Sequence, residues 1–254
     1  MAAPTVKVVP DKSALVQYAL GLVCDRIQQA VADQGYCTLA LAGGSTPKPL
    51  YEGLAQQNLP WSKLYIFWGD ERYVDIDHPD SNAGMAKRAW LDQVPIPAAQ
   101  IFITPTGDRE PATAAHQYET TLRQVFGQLQ GQPDPVPAFD LVLLGMGDDG
   151  HTASLFPHTP ALSVQDRWVT VGIKQNDPRI TFTAPLINQS RMVIFLAAGA
   201  NKQAALRHIF ADQADDQAYP ARLIRPQGHL CWLLDQAAAA SLNATVGEAV
   251  DSQS

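Results

Sequence analysis

The chain has 254 residues, 46% of them hydrophobic, with a formal net charge of -7 and a sequence pI near 5.2. That balance supplies a sizeable core and excludes a nucleic-acid coat or a membrane-surface binder, both of which need a basic field. Three cysteines, Cys24, Cys37 and Cys231, are odd in number and scattered, so a reducing compartment is expected rather than a disulfide framework.

The start of the chain shows no basic segment leading into an apolar core and cleavage site, and no apolar run approaches the ~20 residues of a membrane span. A cytoplasmic protein without membrane or nucleic-acid partners is expected, with a monomer favoured. No linker-like stretch divides the sequence, so residues 1–242 are expected to form one domain, followed by a disordered tail over 243–254. Asp11 can cap a first helix, whose apolar positions Leu15, Tyr18, Leu22, Ile27 and Val31 recur at helical spacing until Gly35 ends it. Residues 38–42 read as a buried strand that stops at Gly43-Gly44-Ser45-Thr46-Pro47, and Pro47 suits the first turn of a helix through Leu50 and Leu54. Strand, glycine turn and helix start together form an anion site, because free amides and the positive helix end converge. Gly43, Gly44, Ser45 and Thr46 are therefore candidate phosphate-binding residues. Two sharper motifs fail there: the nucleophile elbow needs glycine where Pro47 stands, and the P-loop ending is absent.

Residues 65–68 are a further strand, followed by Gly69-Asp70-Glu71-Arg72. Three charged side chains at a strand end are either a solvated turn or a second wall of the same site, and the repeated order of strand, glycine and polar cluster favours the wall. A helix over about 80–91, a short strand over 101–103, a polar helix over about 109–129 and a surface connection over 130–137 follow.

The densest signal lies in residues 139–157. Asp140 precedes an apolar run, Leu141 to Leu144, short enough for a strand buried on both faces. Gly145, Gly147 and Gly150 then turn the backbone, and between and after them stand Asp148, Asp149 and His151. Ligands bind at the carboxyl ends of strands in an open parallel sheet, so this titratable cluster is placed for chemistry. A histidine two residues after an aspartate in such a loop reads as a general base whose orientation a carboxylate, Asp149 or Asp70, can fix. No zinc-type Cys or His spacing accompanies it, so a zinc site is the weaker reading of this histidine. The same loop satisfies G-x-G-x-x-G, yet adjacent carboxylates would repel a pyrophosphate and Pro157 and Pro160 break the helix that should follow. A nicotinamide enzyme is set aside.

Residues 168–173 and 180–182 read as strands bracketing Lys174 and Arg179, and 192–197 as another buried strand, closed by Gly199 and opening a helix with Lys202 near its first turn. A lysine there opposes the helix dipole by ~0.3 to 1 kcal/mol unless an anion sits beside it, which makes Lys202 a candidate ligand residue. Residues 230–234 are a last strand. Strands alternating with helices give an α/β class built on a mostly parallel sheet.

Taken in order, Leu41-Ala42-Gly43-Gly44-Ser45-Thr46-Pro47, Trp68-Gly69-Asp70-Glu71-Arg72, the run from Gly145 to Pro157 and Arg179-Ile180-Thr181 resemble the 6-phosphogluconolactonases over nearly the whole chain. The resemblance implies a Rossmann-like, doubly wound α/β fold with helices on both faces of the sheet. It also implies no cofactor, no metal, and a small-molecule substrate, 6-phospho-D-glucono-1,5-lactone, hydrolysed to 6-phospho-D-gluconate in the oxidative pentose phosphate pathway. It puts the catalytic histidine on His151, supporting acidic and basic groups on Asp70, Arg72 and Asp149, and the phosphate grip on Ser45, Thr46, Arg179 and Lys202, with Lys174 a weaker candidate. Asp148 departs from the residues usual at its position. The rival family, glucosamine-6-phosphate deaminase, is similar in both glycine loops and in Asp-Gly-His, but it continues to a glutamate before the proline. Here Phe156 stands at that place, and a phenyl ring cannot move a proton. A catalytically silent sugar-phosphate sensor is the other alternative; the complete set Asp70, Arg72, Asp149 and His151 argues against it.

Overall fold

The computed structural model describes residues 3–107, 110–133 and 135–242. The expected tail over 243–254 lies outside the described residues, as does Arg109, the expected start of the second long helix. Strand β1 (Thr5–Val9) leads into helix α1 (Lys12–Gln34), then β2 (Cys37–Leu41), α2 (Pro47–Leu54) and β3 (Leu64–Trp68). The middle of the chain holds β4 (Asp70–Arg72), α3 (Asn82–Ala89), α4 (Pro111–Gln130) and β5 (Leu141–Gly145). After it come β6 (Val169–Lys174), β7 (Asp177–Phe182), α5 (Ala184–Asn188), β8 (Met192–Ala197), α6 (Gln203–Ile209), β9 (His229–Asp235) and α7 (Gln236–Ala239). Among the described residues no helix is long and apolar enough to cross a membrane.

Six strands form one parallel sheet in the order β1-β9-β8-β5-β2-β3. Period-two alternation divides its side chains between two layers. Leu39, Leu41, Leu141, Leu143, Ile194 and Leu196 pack with α1, α2 and α3, whereas Ala40, Val142, Leu144, Val193 and Phe195 pack with α4 and α6. Helices cover both faces, as a doubly wound fold requires, and the near-continuous apolar runs of β2, β5 and β8 follow from burial on both sides.

Three local expectations change. Helix α1 is capped as expected, with Asp11 accepting from the Ala14 amide at 2.9 Å and Gly35 left-handed at φ 85. Its buried face, however, runs through Leu15, Val16, Ala19, Val23, Ile27 and Ala30; Tyr18 is 43% exposed, with the Lys7 ammonium over its ring. Residues 101–103 make only a single bridge, Ile101 to Ile66, because the chain turns away toward Pro105 at the sheet edge. Strand β1 has no counterpart among the expected elements: it is short, with Lys7 at its centre, and it is recruited by pairing with β9.

A second, antiparallel sheet runs β4-β7-β6. The charged stretch after Gly69 is thus a strand, not a loop. The β6–β7 hairpin turns at Gln175 and Asn176, both at positive φ, so Lys174 ends β6 and Arg179 lies within β7, directly across from Arg72.

The chain leaves β2 toward β3 on one side of the large sheet and leaves β5 toward β8 and β9 on the other. This reversal opens a crevice between the carboxyl ends of β2 and β5. The amino ends are closed by Asp140, which is 1% exposed and accepts from the Thr38 amide, the Thr38 hydroxyl and Gln34 Nε2, each at 2.9 Å. Arg26 and Arg191 stand at 3.8 and 3.7 Å from the same carboxylate.

Candidate active site

A cavity of about 270 Å³ fills the crevice. Gly43, Gly44, Ser45, Thr46, Arg179 and Lys202 line it, as do Asp70, Arg72, His151 and Lys174, so the segments that follow β2, β5 and β8 converge with residues of strands β4, β6 and β7. Asp149 stands behind His151, with Oδ1 at 2.5 Å from the imidazole Nδ1 and 3.1 Å from the His151 amide. Gly147 makes room for this pair: a Cβ there would fall 2.1 Å from Nδ1. The hydrogen bond from His151 pulls the Asp149 carboxyl down to about 2, against the opposing effect of partial burial. An ionised Asp149 accepts at Nδ1 and leaves Nε2 of a neutral ring free to take a proton.

The loop that carries His151 is braced from within. Thr152 donates to the Gly145 carbonyl at 2.9 Å, the Gly147 amide donates to the His151 carbonyl at 2.9 Å, and Ala153 adopts a left-handed φ of 47, uncommon for a residue with a side chain. Phe156 packs its ring 4.6 Å from the imidazole, centroid to centroid.

Asp70 is tied elsewhere. Its Oδ2 accepts from the buried Ser154 hydroxyl at 2.7 Å, and its carbonyl accepts from Asn82 Nδ2 at 2.9 Å. Of the two carboxylates that could orient His151, the one in contact is Asp149. Glu71, which was expected in the wall with its neighbours, faces away. It is 2% exposed and accepts from the amides of Arg72, Asn82 and Ala83, two of them at the start of α3. Burial pushes its carboxyl up while those amides hold it down.

Arg72 and Arg179 are register partners across β4 and β7. Arg72 Nη1 donates to the Asp80 carbonyl at 2.6 Å, while the Arg179 guanidinium has no hydrogen-bond or ion-pair partner among the described residues. Burial, and then the neighbouring Arg72, push the Arg179 guanidinium below its ordinary value. Two adjacent cations that cannot neutralise each other favour an anion between them.

The glycine loop lies beside them. A Cβ on Gly43 would overlap Asn82 Oδ1 at 1.7 Å, so only glycine lets that side chain reach Asp70. Thr46 does not cap α2 with its hydroxyl, and the Ser45 carbonyl accepts from Lys12 at 3.0 Å. Lys202 departs from expectation: it ends a 3-10 turn and precedes α6 rather than lying inside it, and its ammonium sits 2.5 Å from Asp148 Oδ1. In this structure the anion that a lysine at a helix start calls for is Asp148.

Asn82, Ser154 and Lys12 were not among the expected site residues. Ser154 had a legible signal, since it falls inside the run that carries His151; an asparagine at a helix start and a lysine of α1 had none. Among the described residues no three His, Cys, Asp or Glu side chains are grouped to hold a metal ion.

Residues 10–232 match the family described as glucosamine-6-phosphate isomerases/6-phosphogluconolactonase. The chain is 59% identical over 240 residues to a 6-phosphogluconolactonase of Synechocystis, covering 94% of this chain and 99% of the relative. It is 57% identical over 239 residues to one of Nostoc, covering 94% and 98%. The structure of the 6-phosphogluconolactonase from Trypanosoma cruzi superposes with a TM-score of 0.84 at 31% identity, covering 95% of this chain and 97% of that one. The Trypanosoma brucei enzyme gives 0.82 at 32%, covering 96% and 100%. A monomeric glucosamine-6-phosphate deaminase, 19% identical with a TM-score of 0.78, shares the fold alone. With a family match spanning most of its length and relatives this similar, the chain belongs to the glucosamine-6-phosphate isomerase/6-phosphogluconolactonase family.

Proposed function

We propose that the chain is a 6-phosphogluconolactonase that hydrolyses 6-phospho-D-glucono-1,5-lactone to 6-phospho-D-gluconate, with His151 as general base and no metal. The observation that carries this reading is the Asp149–His151 pair in the wall of the cavity that also presents Arg72, Arg179 and Lys202. A base at one place and cations at others suit a ligand with a reactive carbonyl and a remote phosphate.

A δ-lactone is an activated ester, so placement and proton transfer suffice to open it. Nε2 of neutral His151 takes a proton from a water molecule as the oxygen of that water bonds to C1. The tetrahedral intermediate collapses, the C1–O5 bond breaks, and the imidazolium returns the proton to O5. The new carboxylic acid ionises in solution, releasing one proton per turnover. Asp149 holds the ring in the tautomer that this cycle needs and stabilises its cationic form. Arg72, whose buried Nε has no hydrogen-bond partner among the described residues, is the oriented donor for negative charge that develops on the carbonyl oxygen. Arg179, Lys202 and residues 43–46 grip the phosphate, and that binding energy orients C1 against His151. The three cysteines are free thiols, in keeping with a reaction housed in the cytoplasm.

Deamination is disfavoured by Phe156, which stands at the sequence position where the rival family carries a glutamate and packs an inert ring against the imidazole. The test follows acid release from freshly prepared lactone above its spontaneous hydrolysis, with ammonia release from glucosamine 6-phosphate as control. The parent should release acid and no ammonia, and His151→Ala should lose ~10² to 10⁴ of the rate. Activity of that variant within a fewfold of the parent would end the assignment.

A further inference from the structure

We propose that Asp148 is a built-in counter-ion that competes with the ligand's phosphate for Lys202, and so sets how strongly an anion must bind before it recruits that lysine. The inference rests on reading the cavity as a sugar-phosphate site.

Lys202 lines the cavity with its side chain 17% exposed, whereas Asp148 is 63% exposed and stands outside the wall. One carboxylate oxygen, Oδ1, receives both the Lys202 ammonium at 2.5 Å and Asn201 Nδ2 at 2.8 Å. The aim of this carboxylate is fixed by its neighbour. Asp149 is locked onto His151 through both its side chain and the His151 amide, so the loop between Gly147 and His151 directs successive carboxylates to different partners.

The other cavity cations are not neutralised in this way. Arg72 is tied to an uncharged carbonyl, and among the described residues neither Lys174 nor Arg179 has an ion-pair partner. Lys202 alone among these four carries a carboxylate. An ion pair with one partner so exposed to water is weak, and a stronger anion can displace it. A phosphate that brings two charges and also reaches the arginines replaces Asp148 with a gain. A lone carboxylate would exchange one carboxylate for another and gain little. Asp148 thereby sets an affinity threshold that any anion recruiting Lys202 must exceed.

The experiment measures KM for the lactone and inhibition by inorganic phosphate in the parent, Asp148→Asn, Lys202→Ala and the double variant. Asp148→Asn keeps the shape of the side chain and removes its charge. We expect it to lower both constants about two- to fivefold, the range set by a weak ion pair, while kcat moves less. In the Lys202→Ala background the same change should do nothing. A rise in either constant would show that Asp148 supports the grip instead of competing with it, and unchanged constants would show that it is inert; either overturns the proposal. An equal gain in the Lys202→Ala background would overturn it too, by showing a general field effect. If Lys202→Ala leaves phosphate inhibition untouched, the placement of Lys202 in the phosphate grip fails, while loss of acid release on His151→Ala still supports the lactonase reading.

Discussion

Asp140, at the amino end of β5, and Asp149, just past its carboxyl end, are the same side chain put to opposite uses by their surroundings. Asp140 is buried, and Thr38, Gln34 and two flanking arginines meet its oxygens. No cavity adjoins it among those described, and every contact joins one stretch of backbone to another, so its work is finished once the chain has folded. Asp149 is about half exposed and spends its hydrogen bonds on an imidazole that faces a cavity. The difference separates scaffold from the proposed chemistry in this protein: a carboxylate whose partners are all structural holds the fold, and one that leaves a proton acceptor beyond it facing a cavity is the one proposed to serve the reaction. Glu71 and Asp70, adjacent in β4, fall between these extremes: the first closes the start of α3, and the second borders the cavity while its carboxylate accepts from buried Ser154.

The comparison is broken most directly at the end proposed to be catalytic. Asp149→Asn keeps the shape of the side chain but can no longer hold Nδ1–H against a negative charge, so kcat should fall by ~10² or more. Its denaturation midpoint should barely move, because a half-exposed pair contributes little to folding. Steady-state acid release and urea denaturation on the same preparation report the two quantities; a large stability loss with intact kcat would move Asp149 into the scaffold.

At the other end the expectation reverses. Asp140→Ala leaves the Thr38 amide and hydroxyl and the Gln34 amide without their acceptor and two arginines without their counter-charge, so stability should drop by about 3 kcal/mol. The protein that remains folded should keep its kcat and KM, since the alteration lies a full strand length from the cavity. Urea unfolding read beside active-site kinetics decides the matter, and a changed KM in the folded fraction would show that the two ends are coupled.

Much of the carboxyl end is legible from residue order alone, because chemistry there depends on local motifs. Gly147 must lack a Cβ for the Asp149–His151 pair to close, and that constraint is written into a short run ending in His151. The apolar runs of β2, β5 and β8 are equally plain, since strands buried on both faces need no alternation. What could not be read depends on partners distant in the chain. Strand β1 exists because β9 offers it an edge, and β4 is a strand because β7 pairs with it; neither has a strong pattern of its own. Asn82 lines the cavity and Lys12 reaches the Ser45 carbonyl, each from the start of a helix whose placement only the packed fold decides. The partner of Lys202 was hidden for a related reason: nothing in the sequence pairs Asp148 with a lysine more than fifty residues away, and only the packed loops bring them together.

The finest contrast is in the pH dependence of stability. The folded Asp149 carboxyl sits at about 2, below its ordinary 3.8, chiefly because of the hydrogen bond with His151. With a depressed folded value, the unfolded chain binds the proton first as pH falls. The stabilisation is therefore complete above the ordinary value and disappears as the pH drops from there through about 2. Exposure to solvent keeps it small. Urea midpoints of the parent and of Asp149→Asn, compared across that range, should differ most near neutrality in favour of the parent and converge on acidification. A gap that widens as the pH falls would reverse the sign of the linkage and show that the pair is strained rather than stabilising.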